Sequence, residues 1–368
     1  DVQKRSDSQS NLLDFDVDLS GFSKAITSIG ENCKDDVLII VETTVPPGTC
    51  SKLVKPSLDD ELIKRGLSKS RYKLGHSYER VMPGPNYIDS IRNFPRVYSG
   101  IDNKSADSIK DFLSTIINPD CELKRLNNTN STEIAKVLEN SYRATNISFV
   151  IEWSRFAEEA GVDLYEIVNA IRVRDTHSNL MYPGIGVGGY CLTKDPLLAS
   201  WAKKNFFNSN ESLDMSIKSV SKNDQMPIFA YNRLIEVFGS VEDKRITLLG
   251  VSYRGDIGDT RYSPVETLTK ELKNAKAVIS FHDPFVSYWH EFSEIIEQSL
   301  EKALENKIDI LIISAAHSEY KSQEAIKMIM RHNPLKIFDT IGLFEANQIN
   351  ELETKHFVSV LGRGDIGN

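Results

Sequence analysis

A cysteine directly behind a cluster of glycines is the stretch of this chain best suited to chemistry. Cys191 lies in Pro183-Gly-Ile-Gly-Val-Gly-Gly-Tyr-Cys-Leu-Thr-Lys-Asp-Pro196. The glycines that precede it are Gly184, Gly186, Gly188 and Gly189. Glycine adopts backbone angles that other residues avoid, and it leaves room for a ligand beside the main chain. The loop therefore predicts a binding site that brings its ligand close to a thiol.

The residues after Cys191 favour a reactive thiol. A thiol is a strong nucleophile as its thiolate, and a nearby lysine or helix N-terminus favours that form. Lys194 supplies the cation, and a helix is predicted to begin near Pro196. Asp195 adds a carboxylate that could steer a water molecule. A tight loop around a buried cysteine is the alternative, but glycines, thiol, lysine and carboxylate coincide here, which favours catalysis.

Two further stretches carry groups suited to the same chemistry. The apolar run at residues 37–41 predicts a strand buried on both faces, and Glu42-Thr-Thr-Val-Pro-Pro-Gly-Thr49 follows at its carboxyl end, where open α/β sheets bind ligands. A helix predicted over residues 131–160 sets Lys136 and Asn140 on one face, because they are four residues apart. Cationic and amide donors can stabilise developing negative charge. A proline-stiffened turn and a surface lysine are the alternatives.

Composition and charge limit the class of protein. The chain has 368 residues, enough for two or three domains, and no run that is long and apolar enough to span a membrane. A net charge of -8 predicts no nucleic-acid partner. Its four cysteines show no C-x-x-C spacing, which predicts a reducing cytoplasm and no metal site. The cysteines are Cys33, Cys50, Cys121 and Cys191.

These motifs resemble the nucleotide-sugar 6-dehydrogenases of the UDP-glucose/GDP-mannose dehydrogenase family, whose active-site loop reads Gly-x-Gly-x-Gly-Gly-x-Cys-x-x-x-Asp. The family oxidises the C6 alcohol of the sugar to a carboxylate in two NAD-dependent steps, through a thiohemiacetal and a thioester on the cysteine. The resemblance therefore implies NAD as cofactor and a UDP-sugar as substrate, bound in part by the four glycines. It also implies a cytoplasmic homodimer with no membrane partner.

The resemblance assigns roles to residues that precede the glycine loop. Thr44 would lie beside the nicotinamide, while Lys136 and Asn140 would hold the oxyanion and the water near the cysteine. Tyr78-Glu-Arg-Val-Met-Pro-Gly84 resembles the Pro-Glu-Arg-Val-x-Pro-Gly motif of the N-acetylhexosamine branch, with Tyr78 in the place of proline. Within this motif, the resemblance makes Glu79 an acid/base or water-positioning carboxylate and makes Arg80 the mark of an acetamido-sugar substrate.

The resemblance also assigns roles to residues of the loop at 250–264, which is similar to Gly-x-x-Tyr-Lys-x-x-x-x-Asp-x-Arg-x-Ser-Pro. Tyr253 and Arg254 would bind the substrate, with Arg254 in the place of the family's lysine. Arg261 matches an arginine that reaches the cofactor, and Lys194 is assigned to the cofactor as well.

His177 stands near the position of an arginine that some family members lend across a dimer interface, which leaves that role to Arg172, Arg174 or no residue.

The predicted fold class is α/β, with two Rossmann-like doubly wound domains joined by a helical central domain that contains a long helix. The first predicted domain, residues 1–125, is an incomplete NAD-binding domain. Residues 126–238 are predicted to form the helical central domain with the cysteine loop, and residues 239–368 the UDP-sugar-binding domain. The expected strand, Gly-x-Gly-x-x-Gly turn and ribose-binding acid do not precede Asp16, and Asp1 opens a polar stretch that resembles an interior loop. We therefore expect a fragment that binds NAD weakly, and an inactive chain is an open alternative.

Three functions remain open from the sequence. The first is oxidation of a UDP-N-acetylhexosamine at C6 for surface polysaccharide synthesis, which Glu79 and Arg80 favour. The second is UDP-glucose 6-dehydrogenase activity, because Lys194-Asp195 resembles that branch. The third is a truncated chain that binds nucleotide sugar or dimerises without turnover.

Overall fold

The computed structural model describes residues 1–69, 71–81, 84 and 86–366, which form two compact units. The first unit comprises Asp1–Arg5, Leu13–Tyr142 and Lys194–Ile217. The second comprises Ser6–Leu12, Arg143–Thr193 and the chain from Lys218 onward. Two of the boundaries fall inside helices, so the predicted division at residues 125/126 and 238/239 stays a prediction.

Helices and strands alternate through much of the chain, as the sequence predicts. As far as the long helix they are β1 (Val2–Ser6), β2 (Leu12–Val17), α1 (Ser20–Asn32), β3 (Val37–Val41), α2 (Lys55–Lys64), β4 (Tyr72–Tyr78), α3 (Tyr87–Arg92), β5 (Arg96–Gly100), α4 (Asn103–Ser114), β6 (Leu123–Arg125) and α5 (Thr129–Glu159). After it they are α6 (Leu164–Arg172), α7 (Asp195–Asn205), α8 (Asp214–Phe238), β7 (Arg245–Leu249), α9 (Pro264–Asn274), β8 (Val278–His282), β9 (Tyr288–Trp289), β10 (Glu294–Ile295), α10 (Leu300–Glu305), β11 (Ile310–Ile313), α11 (Gln323–Met330), β12 (Lys336–Asp339), α12 (Ala346–Glu353) and β13 (Phe357–Val360).

The sheet of the first unit has the strand order β3-β4-β5-β6. β3 pairs with β4 in parallel, so Val41 and His76 lie opposite each other near the carboxyl ends of both strands. β4 and β5 run antiparallel, which the alternating sequence pattern did not predict. Helix α1 buries Ile26, and helix α2 buries Leu58 and Leu62, in the core cluster that includes Ile39 and Leu74 of this sheet. The parallel pair places the loops after β3 and β4 at one edge of the sheet.

The sheet of the second unit is parallel throughout, with the order β13-β12-β11-β7-β8. β11 has all four residues buried, as expected of a central strand covered on both faces. The order reverses at β7, because the chain adds strands first on one side and then on the other. This is the doubly wound arrangement that the sequence predicts, and the loop at 250–263 leaves its sheet at that reversal.

The long helix α5 has 31 residues and matches the predicted range closely. Its first turn is capped by Asn128, whose Oδ1 accepts the backbone N–H of Ser131 at 3.0 Å. Gly161 ends the helix with a φ of 70°, a backbone angle that favours glycine. Both ends therefore follow from local chemistry, and the groups on α5 are held on a rigid element.

The N-terminal residues form a hairpin, so the prediction of an interior loop is wrong. β1 and β2 pair with each other as a two-stranded sheet. The turn between them is closed by Asp7, whose Oδ1 accepts the N–H groups of Gln9 and Asn11 at 2.9 Å each. Ser10 has a φ of 58°. The turn depends on one aspartate side chain, which a composition-based interpretation overlooks.

None of the helices in the described part of the chain is long and apolar enough to cross a membrane.

Candidate functional site

The last two glycines of the cysteine loop are required by a close protein neighbour. A Cβ on Gly188 would lie 2.5 Å from the Cβ of Tyr253 and 2.4 Å from the carbonyl oxygen of Tyr262. Gly189 has a φ of 79°, and a Cβ there would meet the Tyr253 ring at 2.9 Å. Its N–H donates to the carbonyl of Arg261 at 3.0 Å. The glycines therefore let this loop pack against the loop predicted to bind the sugar nucleotide.

The first half of the same loop is held by Asn223 on α8. Its side-chain Oδ1 accepts the N–H of Val187 at 2.7 Å, and its Nδ2 donates to the carbonyl of Val187 at 2.8 Å. Gly186 faces the same asparagine with a φ of 114°. Gly184 makes only an ordinary contact, 3.7 Å from its Cβ position to the carbonyl of Thr340. Gly184 is therefore the glycine of this loop with space beside it, and substrate binding by all four stays a prediction.

Cys191 lies in the turn that follows these glycines, and its residue is exposed. The hydroxyl of Thr193 closes the turn by donating to the carbonyl of Gly189 at 2.7 Å. None of the four cysteines, all of them described by the structure, forms a disulfide bond. The thiol is thus presented on a short, hydrogen-bonded turn at the surface of its unit.

The loop at 250–263 carries three of the predicted ligand-binding residues, Tyr253, Arg254 and Arg261. Arg254 is exposed, while Tyr253 is half-buried. Arg261 forms a bidentate ion pair with Asp259, with its Nη2 2.6 Å from Oδ2, and its guanidinium lies 5.0 Å from the ring centroid of Tyr190. Arg261 is therefore held in place beside the residue that precedes Cys191.

A buried acid that the sequence analysis missed fixes the start of this loop. Asp283 Oδ2 accepts the N–H groups of Val251 and Ser252 at 3.0 Å each and the Ser252 hydroxyl at 2.8 Å. His317 Nε2 lies 3.1 Å from the same oxygen. Burial alone would raise the pKa of Asp283, but these hydrogen bonds outweigh it and the pKa is lowered. The acid therefore remains a carboxylate that positions Tyr253 and its neighbours.

The second unit also contains a cavity of about 500 Å³ at the carboxyl ends of β12 and β13. The rings of Tyr165 and Tyr182 stack beside it with their centroids 6.1 Å apart. Gly342 and Arg363 complete part of the lining. A cavity of this size at this edge of a parallel sheet suits a nucleotide-sized ligand.

In the first unit, the predicted Lys136 and Glu79 lie together. Lys136 is 8% exposed, and its Nζ donates to the backbone carbonyl of Glu79 at 3.1 Å. The same ammonium lies 5.5 Å from the ring centroid of Tyr78, close enough for a cation–π contact. The Glu79 side chain turns back onto the N–H of Val81, with Oε2 2.5 Å from that nitrogen. Met82 and Pro83 of this motif lie outside the described residues.

Arg80 has acceptors within the protein for three of its nitrogens. Its Nε lies 3.2 Å from both carboxylate oxygens of Glu139, and its Nη1 donates to the carbonyl of Pro95 at 2.8 Å. Its Nη2 donates to the hydroxyl of Tyr78 at 3.2 Å. Tyr78, in the place of the family's proline, thus contacts both Arg80 and Lys136.

Asn140 contacts Asp195, and the spacing of their motifs does not predict this contact. Asn140 Nδ2 donates to Asp195 Oδ2 at 2.7 Å, and Lys194 Nζ lies 2.9 Å from Asp195 Oδ1. Asp195 is 1% exposed at the start of α7. Burial raises the pKa of its carboxyl group, and Lys194 opposes that rise more strongly than Asn140 does. The assigned cofactor role of Lys194 and the water-steering role of Asp195 stay predictions.

Thr44 is half-buried in the loop after β3, and both ends of this loop are anchored. Glu42 accepts Arg96 Nη2 at 2.5 Å at one end. At the other end the buried Glu133 accepts the N–H groups of Gly48 and Cys50. Glu133 was missed from the sequence, although its place three residues before Lys136 on the same helix was a usable signal.

His76, at the end of β4, is a second residue that the sequence analysis missed. It is fully buried, and neither ring nitrogen has a hydrogen-bond partner among the described residues. Burial lowers the pKa of His76 to about 4; the Thr43 backbone lies close enough to oppose that shift, and Lys136 adds to it. The ring is therefore neutral at physiological pH, beside the loop that carries Thr44.

Three sequence profiles of one family match the chain. The NAD binding domain of the UDP-glucose/GDP-mannose dehydrogenase family matches residues 7–117, its central domain matches 130–220, and its UDP binding domain matches 247–346. The chain belongs to this family. It is an NAD-dependent nucleotide-sugar dehydrogenase, hence an oxidoreductase, with a UDP-sugar substrate.

Individual relatives agree with this assignment. The chain is 32% identical over 367 residues to a UDP-N-acetyl-D-mannosamine dehydrogenase of Pyrococcus horikoshii, covering 97% of this chain and 80% of that protein. It is 31% identical to a protein of the same name from Methanocaldococcus jannaschii, covering 95% and 75%. The solved UDP-N-acetyl-mannosamine dehydrogenase structure from P. horikoshii superposes with a TM-score of 0.80 and 28% identity, covering 99% of this chain and 80% of that one.

The first unit fits the nicotinamide end of NAD. Thr44 and the unpartnered ring of His76 lie at the carboxyl edge of the parallel strands, where this class of sheet binds cofactors. The backbone N–H groups of Gly48 and Cys50, at the start of the helical turn after this loop, are already bound by Glu133, so they are not a phosphate site. Thr44 would hold the nicotinamide end, and NAD would supply hydride transfer there.

We predict that His76 makes the protein less stable in acid. Its pKa of about 4 lies below the ordinary value near 6.5, so the unfolded chain binds the extra proton first as pH falls. Stability is lost from about pH 6.5 down to about 4, at up to about 1.4 kcal/mol per pH unit. His76→Gln should remove this part of the slope in urea titrations at pH 7 and 5.5, whereas the exposed His290→Gln should not. Equal slopes in wild type and His76→Gln would contradict the assignment.

Proposed function

We propose that the protein oxidises the C6 alcohol of a UDP-N-acetylhexosamine to the uronate. The observation that carries the proposal is the similarity, along 97% and 95% of the chain, to two proteins named UDP-N-acetyl-D-mannosamine dehydrogenase. The Glu79-Arg80-Val sequence supports the same branch. UDP-glucose is the second candidate substrate, and it rests on Lys194-Asp195.

Cys191 is the proposed nucleophile. In each of two oxidations, bound NAD would supply the acceptor for one hydride from C6. The Cys191 thiolate adds to the aldehyde carbon left by the first oxidation, so a C–S bond forms and the carbonyl oxygen takes up the negative charge. Loss of the second hydride from C6 leaves a thioester. Water then adds to that carbon, the C–S bond breaks, and Cys191 departs as thiolate to leave the carboxylate.

Lys136 and Asn140 are the proposed donors for the negative oxygen and the attacking water. Only one N–H of the Lys136 ammonium is used by the Glu79 carbonyl, and an ammonium carries three. The amide of Asn140 has one fixed orientation because its Nδ2 donates to the buried Asp195. Donors that are positioned before reaction stabilise developing charge without further reorganisation. Glu79 is the proposed acceptor of the proton from the alcohol or the water.

Arg80 is the proposed donor to the acetamido carbonyl of the substrate. A guanidinium has five N–H groups, and the three acceptors on Glu139, Pro95 and Tyr78 leave one on each terminal nitrogen. A site with such a donor would reject a sugar that lacks the acetamido group, because an N–H covered by the bound sugar would be left without a partner.

We expect the full-length protein to oxidise UDP-N-acetylmannosamine or UDP-N-acetylglucosamine with a kcat/KM at least about 100-fold above that for UDP-glucose. Arg80→Gln should remove most of this preference by lowering activity on the acetamido sugar. Arg71→Gln, which changes an exposed arginine of the same unit, should leave it unchanged. Steady-state NADH formation with the three sugars measures this.

Two other outcomes would overturn the proposal. A preference for UDP-glucose would establish the second candidate. Calorimetric binding of a UDP-sugar with no oxidation of any of the three would favour a nucleotide-sugar-binding chain without turnover.

We also propose that the product supplies surface polysaccharide synthesis and that the reaction takes place in the cytoplasm. The uronate keeps its UDP leaving group, which a glycosyl transfer consumes. The four cysteines without disulfide bonds suit a reducing compartment.

A homodimer is proposed from an exposed apolar surface on the helices of the second unit. Phe149, Trp153 and Phe156 follow one another at helical spacing on α5 and are each about half exposed. Ile167 and Ile171 on α6 are exposed as well. Aromatic and aliphatic side chains exposed in this pattern mark protein interfaces more often than solvent-facing surfaces. A second copy of this chain is the proposed partner, because family members dimerise through their helical middle region.

We predict that sedimentation velocity shows two copies per particle in wild type and one in Trp153→Glu/Phe156→Glu. Ile295→Glu, at an exposed position on β10, is the matched control and should stay dimeric. A monomeric wild type at micromolar concentration would refute the dimer, and an unaltered double variant would move the interface elsewhere.

A further inference from the structure

A fully buried carboxylate on α5 has no part in the chemistry proposed above. Glu133 is 0% exposed, yet both of its oxygens are bound by backbone donors. Its Oε2 accepts the N–H of Gly48 at 2.6 Å, and its Oε1 accepts the N–H of Cys50 at 2.8 Å. Burying a charge in this way is costly unless the surrounding donors are fixed. The side chain is therefore a specific tether between α5 and the segment that contains Gly48 and Cys50.

The tethered segment is the end of the loop that carries Thr44. This loop leaves β3 at Glu42, where an ion pair with Arg96 holds it, and it ends at the N–H groups that Glu133 binds. Within the loop, the Thr49 hydroxyl donates to the carbonyl of Pro46 at 2.6 Å. The backbone around Thr44 is thus fixed at both ends, and only the Glu133 end is fixed by α5.

The tether begins one helical turn before Lys136. Residues three apart on a helix lie on the same side, so Glu133 and Lys136 project from neighbouring positions of α5. Ser51 Oγ donates to Asn130 Oδ1 at 3.1 Å, and the hydroxyls of Thr132 and Ser99 lie 2.7 Å apart. Ser51 Oγ also lies 3.1 Å from the carbonyl oxygen of Gly48, so Ser51 is a second link between α5 and this segment. It is a neutral hydroxyl contact, whereas the Glu133 carboxylate binds two backbone N–H groups of the segment directly.

The donors at this point match the two oxygens of a carboxylate. Burial raises the pKa of Glu133, and hydrogen bonds from Cys50 and Gly48 oppose that rise. The N–H groups that it binds precede and begin the helical turn at Cys50–Val54, where a helix carries partial positive charge. A neutral glutamine would have the same shape, but its NH₂ group would face one of the two backbone donors.

We propose that Glu133 is a positioning residue that sets the distance between the Thr44 loop and Lys136. The inference rests on the proposed function, because it takes Thr44 to lie beside the nicotinamide and Lys136 beside the reacting oxygen. A displacement of about 1 Å between reacting groups can cost about 100-fold in rate. Glu133 therefore governs turnover without touching substrate or cofactor.

The first test needs no turnover. In hydrogen–deuterium exchange on the full chain, Glu133→Gln should speed exchange at the Gly48 and Cys50 amides by about 10-fold or more, because a local hydrogen bond is lost. Asp102→Asn removes a carboxylate that caps α4 through Ser105 N–H at 2.7 Å in the same unit, and it should leave both amides protected. Glu133→Asp, one methylene shorter, is the second variant should Glu133→Gln fail to fold, and it should show the same local loss.

The second test measures rate and NADH affinity together. Glu133→Gln should lower kcat by about 10- to 100-fold while the KM for the sugar nucleotide stays within about threefold. The kinetic isotope effect on kcat with C6-deuterated substrate should rise, because hydride transfer becomes slower than product release. The NADH dissociation constant from fluorescence titration should increase for Glu133→Gln and stay unchanged for Asp102→Asn.

The outcomes separate the two ideas. Unchanged amide exchange at Gly48 and Cys50, or a wild-type kcat and isotope effect despite faster exchange, would overturn the role of Glu133. If amide protection is lost throughout the unit while kcat per folded molecule stays normal, Glu133 has only a structural role. That result would also overturn the positioning role. A wild-type protein that oxidises no sugar nucleotide would overturn the proposed function, while the exchange result would still decide whether the tether exists.

Discussion

The pairing of a buried carboxylate with fixed donors is the constraint on which the candidate site depends. Asp195, 1% exposed, lies between Lys194 Nζ at 2.9 Å and Asn140 Nδ2 at 2.7 Å. Removal of one partner from such a group leaves an uncompensated buried charge, which costs about 3 kcal/mol or more. The pairing therefore fixes Asn140 on α5 against the start of α7. Asp283 obeys the same rule in the second unit, where it fixes the loop that carries Tyr253. Buried acids thus determine where the reactive groups lie.

The sequence predicted the parts of the fold that depend on local chemistry. The strand at Val37–Val41 was predicted with the bounds that the structure has, and the helix Asp195–Asn205 begins beside Pro196, as predicted. An uninterrupted apolar run and a proline in the first turn are strong signals over a few residues. The family was also predictable from the cysteine loop and the Lys136-x-x-x-Asn140 pattern. Each combines residue types that a purely structural role does not explain. Family-wide agreement along the chain supports that assignment.

The contacts that position the candidate site could not be predicted in the same way. Glu133 and Gly48 are 85 residues apart, and the sequence around neither residue indicates that they are in contact. Substrate binding by Gly188 stays a prediction, and the close packing of Tyr253 against this glycine could not be predicted from the sequence. The antiparallel step between β4 and β5 has the same cause, since strand direction is decided by tertiary packing. Each miss concerns a long-range contact, and long-range contacts do not appear in local periodicity or spacing.

Mass spectrometry of the quenched enzyme can detect the covalent intermediate proposed on Cys191. The protein would be mixed with NAD and the UDP-N-acetylhexosamine, quenched in acid during turnover, and digested. We expect a sugar-nucleotide adduct with the mass of a thioester on the peptide that contains Cys191. We expect no adduct and no uronate from Cys191→Ala, and unchanged turnover from Cys121→Ala. Uronate formed at the wild-type rate by Cys191→Ala, or an adduct on another residue, would contradict the proposed role of Cys191.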